Sequence, residues 1–121
     1  MELMDFNPRA APLGRQMAEL LVGGFREHWP NAWPTVADAL AEVRGFDAPD
    51  RLCRLAVEPA PDGPRVLGWI GGLPEYDGLV WELHPLVVHP AYQRRGIGRA
   101  LVLDLEAQAR ARRPDDGPGL G

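Results

Sequence analysis

The chain has 121 residues, of which 45% are hydrophobic and 25% are charged, and its formal net charge is −4. These values are typical of one globular domain, and the acidic balance argues against a nucleic-acid binder, which would carry a basic face. No apolar run reaches the roughly 18 residues of a membrane span, and no leader sequence is visible. We therefore predict a cytoplasmic protein that binds neither nucleic acid nor membrane.

The first half of the chain predicts one short strand followed by two helices. Residues 1–7 are a candidate strand, and residues 14–27 carry apolar side chains at helical spacing. A turn with two tryptophans and two prolines follows. Thr35 then caps a second helix, with Asp38 three residues further on in a capping-box position, and Gly45 ends that helix.

The second half predicts three strands and a third helix. The strands are residues 51–58, 65–72 and 79–88, and they are separated by turn-forming segments rich in proline, glycine and aspartate. The helix is residues 96–112, with its apolar side chains on one face. The predicted order is therefore β-α-α-β-β-β-α. Residues 113–121 are rich in proline and glycine and are predicted to be a disordered tail.

A glycine pair lies between the last strand and the third helix. Gly96 and Gly98 remove side chains where a ligand would approach the backbone, and the first N–H groups of a helix can bind phosphate oxygens. Arg94, Arg95 and Arg99 add positive charge around this point. Alone, the triplet Gly96-Ile97-Gly98 also fits a tight turn with solvated arginines. Neither a Rossmann fingerprint nor a P-loop is present.

The surroundings of the glycine pair resemble the acetyl-CoA motif of the GNAT superfamily of N-acetyltransferases. Gln93 to Gly98 fits the pattern Gln/Arg-x-x-Gly-x-Gly/Ala, and the preceding strand ends in Val-x-Pro at residues 88–90. More narrowly, residues 69–78 and 81–88 are similar to aminoglycoside 6′-N-acetyltransferases. The resemblance covers residues 1–112. It implies an α/β (α+β) fold with a GNAT-like mixed sheet, from which the C-terminal β-α-β-β portion of that fold is missing.

The resemblance implies acetyl-CoA as co-substrate and no metal. The backbone N–H groups from Arg94 to Arg99, which we call the cradle, would hold the pyrophosphate, and the end of the last strand would pair with the pantetheine arm. Pro85 then marks a bulge that admits the thioester, although proline inside a strand also fits a simple edge. The implied cofactor-binding residues are Leu86, Val87, Val88, Gln93, Arg94, Arg95, Gly96, Ile97, Gly98 and Arg99.

Two polar residues before Pro85 are candidates for the chemistry. Acetylation of an amine needs a base to remove a proton. Glu82 and His84 are two apart on one strand, so they share a face unless the bulge intervenes. By resemblance, Glu82 matches the catalytic glutamate of histone-type GNAT enzymes, and His84 matches a substrate-contacting position in some aminoglycoside acetyltransferases. The alternative is a half-exposed polar pair without a function.

The resemblance also implies an acceptor site for a small amine. Its candidate residues, which equally fit core packing or an ordinary turn, are Trp29, Trp33, Glu75, Tyr76 and Asp77. The predicted function is acetyl transfer from acetyl-CoA to a primary amine of a small molecule, including an aminoglycoside. The alternative is a truncated, non-catalytic remnant that binds coenzyme A weakly or forms a homodimer through an open sheet edge.

Overall fold

The computed structural model describes residues 1–48, 50–75 and 80–112. The elements follow the predicted order: β1 (Glu2–Asp5), α1 (Ala11–Phe25), α2 (Val36–Gly45), β2 (Leu52–Glu58), β3 (Arg65–Glu75), β4 (Val80–Val88) and α3 (Ile97–Ala111). A short 3-10 turn, Pro90–Tyr92, precedes α3, where the sequence predicted only a turn. None of the helices in the described part is long and apolar enough to cross a membrane.

The four strands form one antiparallel sheet in the order β1-β2-β3-β4. Helices α1 and α2 pack on one face, which we call the front face, and α3 packs on the other, the back face. Trp69 in β3 is fully buried on the front face, where its indole N–H donates to the carbonyl of Met17 in α1 at 3.0 Å. The sheet therefore separates two apolar cores.

The helix ends follow local chemistry. The Thr35 hydroxyl accepts from the N–H of Asp38 at 3.2 Å and donates to its carboxylate at 2.8 Å, so the predicted cap of α2 is confirmed. Helix α1 begins three residues earlier than predicted. Pro12 occupies its first turn, where the missing N–H costs no helical hydrogen bond.

An ion pair fixes α3 to the back face. The Arg54 guanidinium in β2 donates to Asp104 of α3 at 2.6 Å and to Asp5 of β1 at 2.9 Å. Burial lowers the pKa of Arg54, but hydrogen bonds to the two carboxylates outweigh it and raise the pKa above its ordinary value. This contact, with the buried stripe that begins at Ile97, sets where the N-terminus of α3 lies.

The β3–β4 register contains a bulge at Pro85. Ile70 pairs with Leu86, but Gly72 pairs with Leu83, so two residues of β4 oppose one of β3. The residue of β3 inside the irregularity is Gly71, where an added Cβ would collide with the Phe46 ring and lie 2.9 Å from the His84 carbonyl oxygen. The bulge is therefore confirmed. Among the described strands, β4, which carries the bulge, lies at the edge of the sheet.

Two adjacent glycines in α1 provide a test of the front-face packing. A Cβ on Gly24 would lie 2.6 Å from Val87 Cγ2, whereas a Cβ on Gly23 would meet nothing within 4 Å. We expect Gly24→Ala to lower the free energy of unfolding by about 1–3 kcal/mol, because a stiff, buried valine must move. Gly23→Ala should instead raise it by about 0.5–1 kcal/mol, because alanine is the better helix former. Urea unfolding measures both, and equal shifts in the two variants would contradict this packing.

Candidate functional site

A groove of about 480 Å³ lies between the end of β4 and the start of α3. We call it the β4–α3 groove. Its lining residues are Leu86, Val88, Tyr92, Gln93, Arg94, Gly96, Ile97, Gly98 and Arg99. All the predicted cofactor-binding residues except Val87 and Arg95 are therefore brought together in one cavity.

The N-terminus of α3 gives this groove free hydrogen-bond donors. Gly96 is the N-cap with φ +81°, a left-handed conformation that glycine adopts without a Cβ penalty. The first backbone bond of α3 runs from Ala100 to the carbonyl of Gly96 at 2.9 Å. Within the described part of the chain, the N–H groups of Ile97, Gly98 and Arg99 have no backbone acceptor. Together with the helix dipole they form a site suited to phosphate oxygens.

The two remaining residues of the predicted set point elsewhere. The Val87 side chain is buried on the front face beneath α1, 5% exposed. The Arg95 guanidinium lies 5.2 Å from the centre of the Tyr92 ring. Of the three arginines, Arg94 and Arg99 are the ones that line the β4–α3 groove.

The outer edge of β4 is open next to this groove. The N–H of His89 donates to the Leu67 carbonyl at 2.7 Å. Because hydrogen-bonded and non-hydrogen-bonded pairs alternate in an antiparallel ladder, the N–H and C=O groups of Val88 and Leu86 point away from β3. Among the described strands, none pairs with this edge. The Gln93 side-chain amide donates to the Val88 carbonyl at 3.3 Å.

The candidate catalytic residues lie on the front face. Glu82 precedes the bulge, and His84 is one of the two residues that form it. Glu82 is exposed and pairs with Leu73, whose side chain packs on the front-face core. His84 stacks on Trp33 with the ring centres 5.8 Å apart, and it meets Phe25 edge-on with the ring centres 6.4 Å apart. Because cross-strand partners share a face, Glu82 and His84 project to the same side of the sheet.

Aromatic side chains from the end of α1 and the following loop form a cluster beside His84, which is exposed. The Phe25 ring meets the Trp33 ring edge-on, with the ring centres 4.9 Å apart, and the centre of the Trp29 ring lies 5.8 Å from that of Phe25. Trp33 is half-buried, whereas Trp29 is 61% exposed. We call Phe25, Trp29, Trp33 and His84 the aromatic wall.

The predicted acceptor residues of the β3–β4 hairpin are only partly placed. Glu75 ends β3 and pairs with Val80. Tyr76 and Asp77 lie outside the described residues. The structure therefore brings Trp33 to His84 and places Trp29 in the same cluster, while the hairpin pair stays a prediction.

Comparison with known proteins decides the family. Residues 15–114 match the family described as Acetyltransferase (GNAT) family. The chain belongs to the GNAT family. This agrees with the sequence resemblance and with the observed order of the elements. The matched region includes both the residues of the β4–α3 groove and the front-face candidates Glu82 and His84.

Solved structures of GNAT proteins share this fold. An aminoglycoside 6′-N-acetyltransferase complexed with coenzyme A is 30% identical, with a TM-score of 0.77, and the match covers 93% of this chain and 57% of that one. The enzyme from Enterococcus faecium gives 30% identity, a TM-score of 0.74 and the same coverage. The type Ii enzyme gives 30% identity, a TM-score of 0.75, and coverage of 93% and 66%. No curated protein matches the sequence. This GNAT chain spans 57–66% of the length of the chains in these three structures.

One residue of the site, Tyr92, was not predicted from the sequence. Tyr92 lines the β4–α3 groove, and its hydroxyl bonds to Glu58 at the end of β2 and to Arg65 at the start of β3. The position of Tyr92 directly before Gln93 was the only local signal. Its partners are 34 and 27 residues away, so no spacing rule could have revealed them.

Proposed function

We propose that this GNAT chain transfers an acetyl group from acetyl-CoA to a primary amine of a small molecule. The observation that supports this best is the organisation of β4 around its bulge. After Pro85 the strand has an open edge that leads into the β4–α3 groove. Before Pro85 it carries Glu82 and also His84, which is part of the aromatic wall. One strand thus joins a phosphate-binding groove to a base and a pocket wall.

The residues of the β4–α3 groove fit coenzyme A. The free N–H groups at the start of α3 match the pyrophosphate, and Arg94 and Arg99 add charge beside them. The outward N–H and C=O groups of Leu86 and Val88 match an amide-containing pantetheine arm, which can pair as a short strand does. Coenzyme A in one related structure supports the same assignment.

We assign the chemistry to residues on either side of the bulge. Acetyl-CoA supplies the activated acetyl group: the amine nitrogen bonds to the carbonyl carbon, the C–S bond breaks, and the amine loses a proton. Coenzyme A leaves as a thiolate, which takes up a proton from solvent. Glu82 accepts the proton that the amine loses, directly or through a water molecule. The N–H of Leu86 donates to the carbonyl oxygen, where negative charge develops. His84, held by Trp33, positions the amine.

The aromatic wall and Glu82 favour a cationic acceptor. Aromatic ring faces attract ammonium groups, and a carboxylate on the same side of the sheet adds to that attraction. An aminosugar with several ammonium groups has this chemistry, and the three similar structures are aminoglycoside 6′-N-acetyltransferases. We therefore propose an aminoglycoside as acceptor.

The second candidate function is a non-catalytic remnant that forms a homodimer through the open edge of β4. Leu83 and Leu86 support it, since they are 38% and 40% exposed on this edge strand. An open edge with exposed leucines can pair with a second copy.

Residence in the cytoplasm stays a prediction.

Two measurements on the 121-residue chain separate these candidates. Calorimetry with coenzyme A tests the groove, and acetyl-CoA turnover with a panel of aminoglycosides and simple amines tests the chemistry. We expect coenzyme A binding, and turnover that is fastest with an aminoglycoside. A folded protein that binds no coenzyme A would refute the proposal. Binding without turnover, in a sample that light scattering shows to be dimeric, would favour the second function.

A further inference from the structure

Tyr92 connects the phosphate-binding turn to the end of β2 and the start of β3, which lie at the same end of the sheet as the turn. Its hydroxyl donates to Glu58 Oε1 at 2.7 Å and accepts from Arg65 Nη1 at 3.0 Å. The Arg65 and Glu58 side chains are 3.8 Å apart, so the hydroxyl completes a three-membered polar cluster. The hydroxyl therefore both donates and accepts a hydrogen bond.

The Tyr92 ring is fixed as well as its hydroxyl. It is half-buried and packs against the back-face core. The His89 ring meets it at right angles with the centres 5.3 Å apart, and the His89 Nδ1 accepts from the N–H of Ala91 at 3.0 Å. The Arg95 guanidinium covers the ring at 5.2 Å. The Tyr92 side chain, which directly precedes Gln93, is thus held at both its ring and its hydroxyl.

The rest of the turn has few other anchors. Arg94 adopts φ +67°, a conformation that is uncommon outside glycine, and Gly96 adopts φ +81°. The side-chain bond from Gln93 to the Val88 carbonyl is long, at 3.3 Å, and exposed. A backbone held in this unusual shape needs an attachment to the rigid sheet, and Tyr92 provides one.

We propose that Tyr92 is a positioning residue for the cofactor, and this rests on the proposed function. Its hydroxyl, held between Glu58 and Arg65, keeps the turn in the conformation that presents the N–H groups of Ile97, Gly98 and Arg99 to the pyrophosphate. A preformed turn spares the ligand the entropy of ordering it. Loss of the hydroxyl removes a hydrogen bond to a charged group, and we expect about a tenfold weaker affinity for coenzyme A.

Tyr92→Phe tests the proposal, because phenylalanine keeps the ring and loses only the hydroxyl. Calorimetry should show a Kd for coenzyme A about tenfold higher than wild type. Pantetheine lacks the pyrophosphate, so its affinity, measured by NMR titration, should not change. In turnover, the KM for acetyl-CoA should rise while kcat stays the same. An unchanged Kd for coenzyme A, or an equal loss of affinity for both ligands, would overturn the proposal.

Variants of Glu58 provide a second, independent measurement. Glu58→Ala should weaken coenzyme A binding as Tyr92→Phe does, and the double variant should be no weaker than either one, since both remove the same bond. Glu58→Gln keeps an acceptor oxygen and should restore most of the affinity. Glu106→Gln, on the exposed side of α3, is the control for the loss of one charge. Additive effects in the double variant would overturn the proposal.

The wild-type protein separates this inference from the proposed function. If wild type binds no coenzyme A, both proposals fail together. If wild type binds coenzyme A and Tyr92→Phe binds it equally well, only the role of Tyr92 fails.

Discussion

Glu82→Gln is expected to lower kcat for amine acetylation by about 10²–10⁴-fold, the usual contribution of a general base. Glutamine has nearly the same shape but cannot accept the proton that the amine must lose. Glu82 is exposed on the front face, on the same side of the sheet as His84. Because this face is separate from the β4–α3 groove, the Kd for coenzyme A should stay within about twofold of wild type.

The measurement is steady-state turnover at saturating acetyl-CoA, with calorimetry on the same preparation. Glu106→Gln is the matched control, because its carboxylate is exposed on α3 and pairs only loosely with Arg110, at 3.8 Å. It should leave kcat unchanged. A Glu82→Gln enzyme with wild-type kcat would exclude Glu82 as the base, and the proton would need another acceptor on this face.

Gly96→Val is expected to abolish most coenzyme A binding, with an affinity loss of at least about tenfold. At φ +81° a β-branched residue is strongly disfavoured, so the turn must change shape and move the first N–H groups of α3. Stability should also fall, by about 1–2 kcal/mol. Calorimetry and urea unfolding measure the two effects separately.

Gly63→Val is the control for backbone strain. Gly63 also has a positive φ, +112°, and an added Cβ there would meet nothing within 4 Å. It lies in the β2–β3 turn and does not line the β4–α3 groove. We expect a similar loss of stability with normal coenzyme A affinity. If both variants lost affinity equally, the loss would come from general destabilisation, and the cradle would not be the binding site.

Local signals predicted most of the fold. The stripe Ile97, Leu101, Leu105 and Ala109 has a helical period, and all four are buried on the back face. Thr35 and Gly45 placed the ends of α2 correctly. These features depend only on residues that are close together in the chain, so they can be predicted without knowledge of the folded structure.

The candidate site was predictable where it rests on one continuous segment. Residues 93–98 form the cradle because glycine spacing and a helix start are local properties. The inward position of Val87 was not predictable, because the bulge at Pro85 changes which residues face α1. Tyr92 was missed for a similar reason, since its bonds to Glu58 and Arg65 need the sheet to be assembled first.

The bulge also limits what can add to the outer edge of β4. Pro85 has no N–H to donate, so it divides that edge into two stretches, residues 80–84 and 86–88. Neither stretch is longer than an average strand of about five or six residues, and the second extends only about 10 Å. Gln93 donates one hydrogen bond to the Val88 carbonyl at its end, which leaves that oxygen one lone pair. Such an interrupted edge discourages the growth of intermolecular sheets, yet it still accommodates one short, extended small molecule.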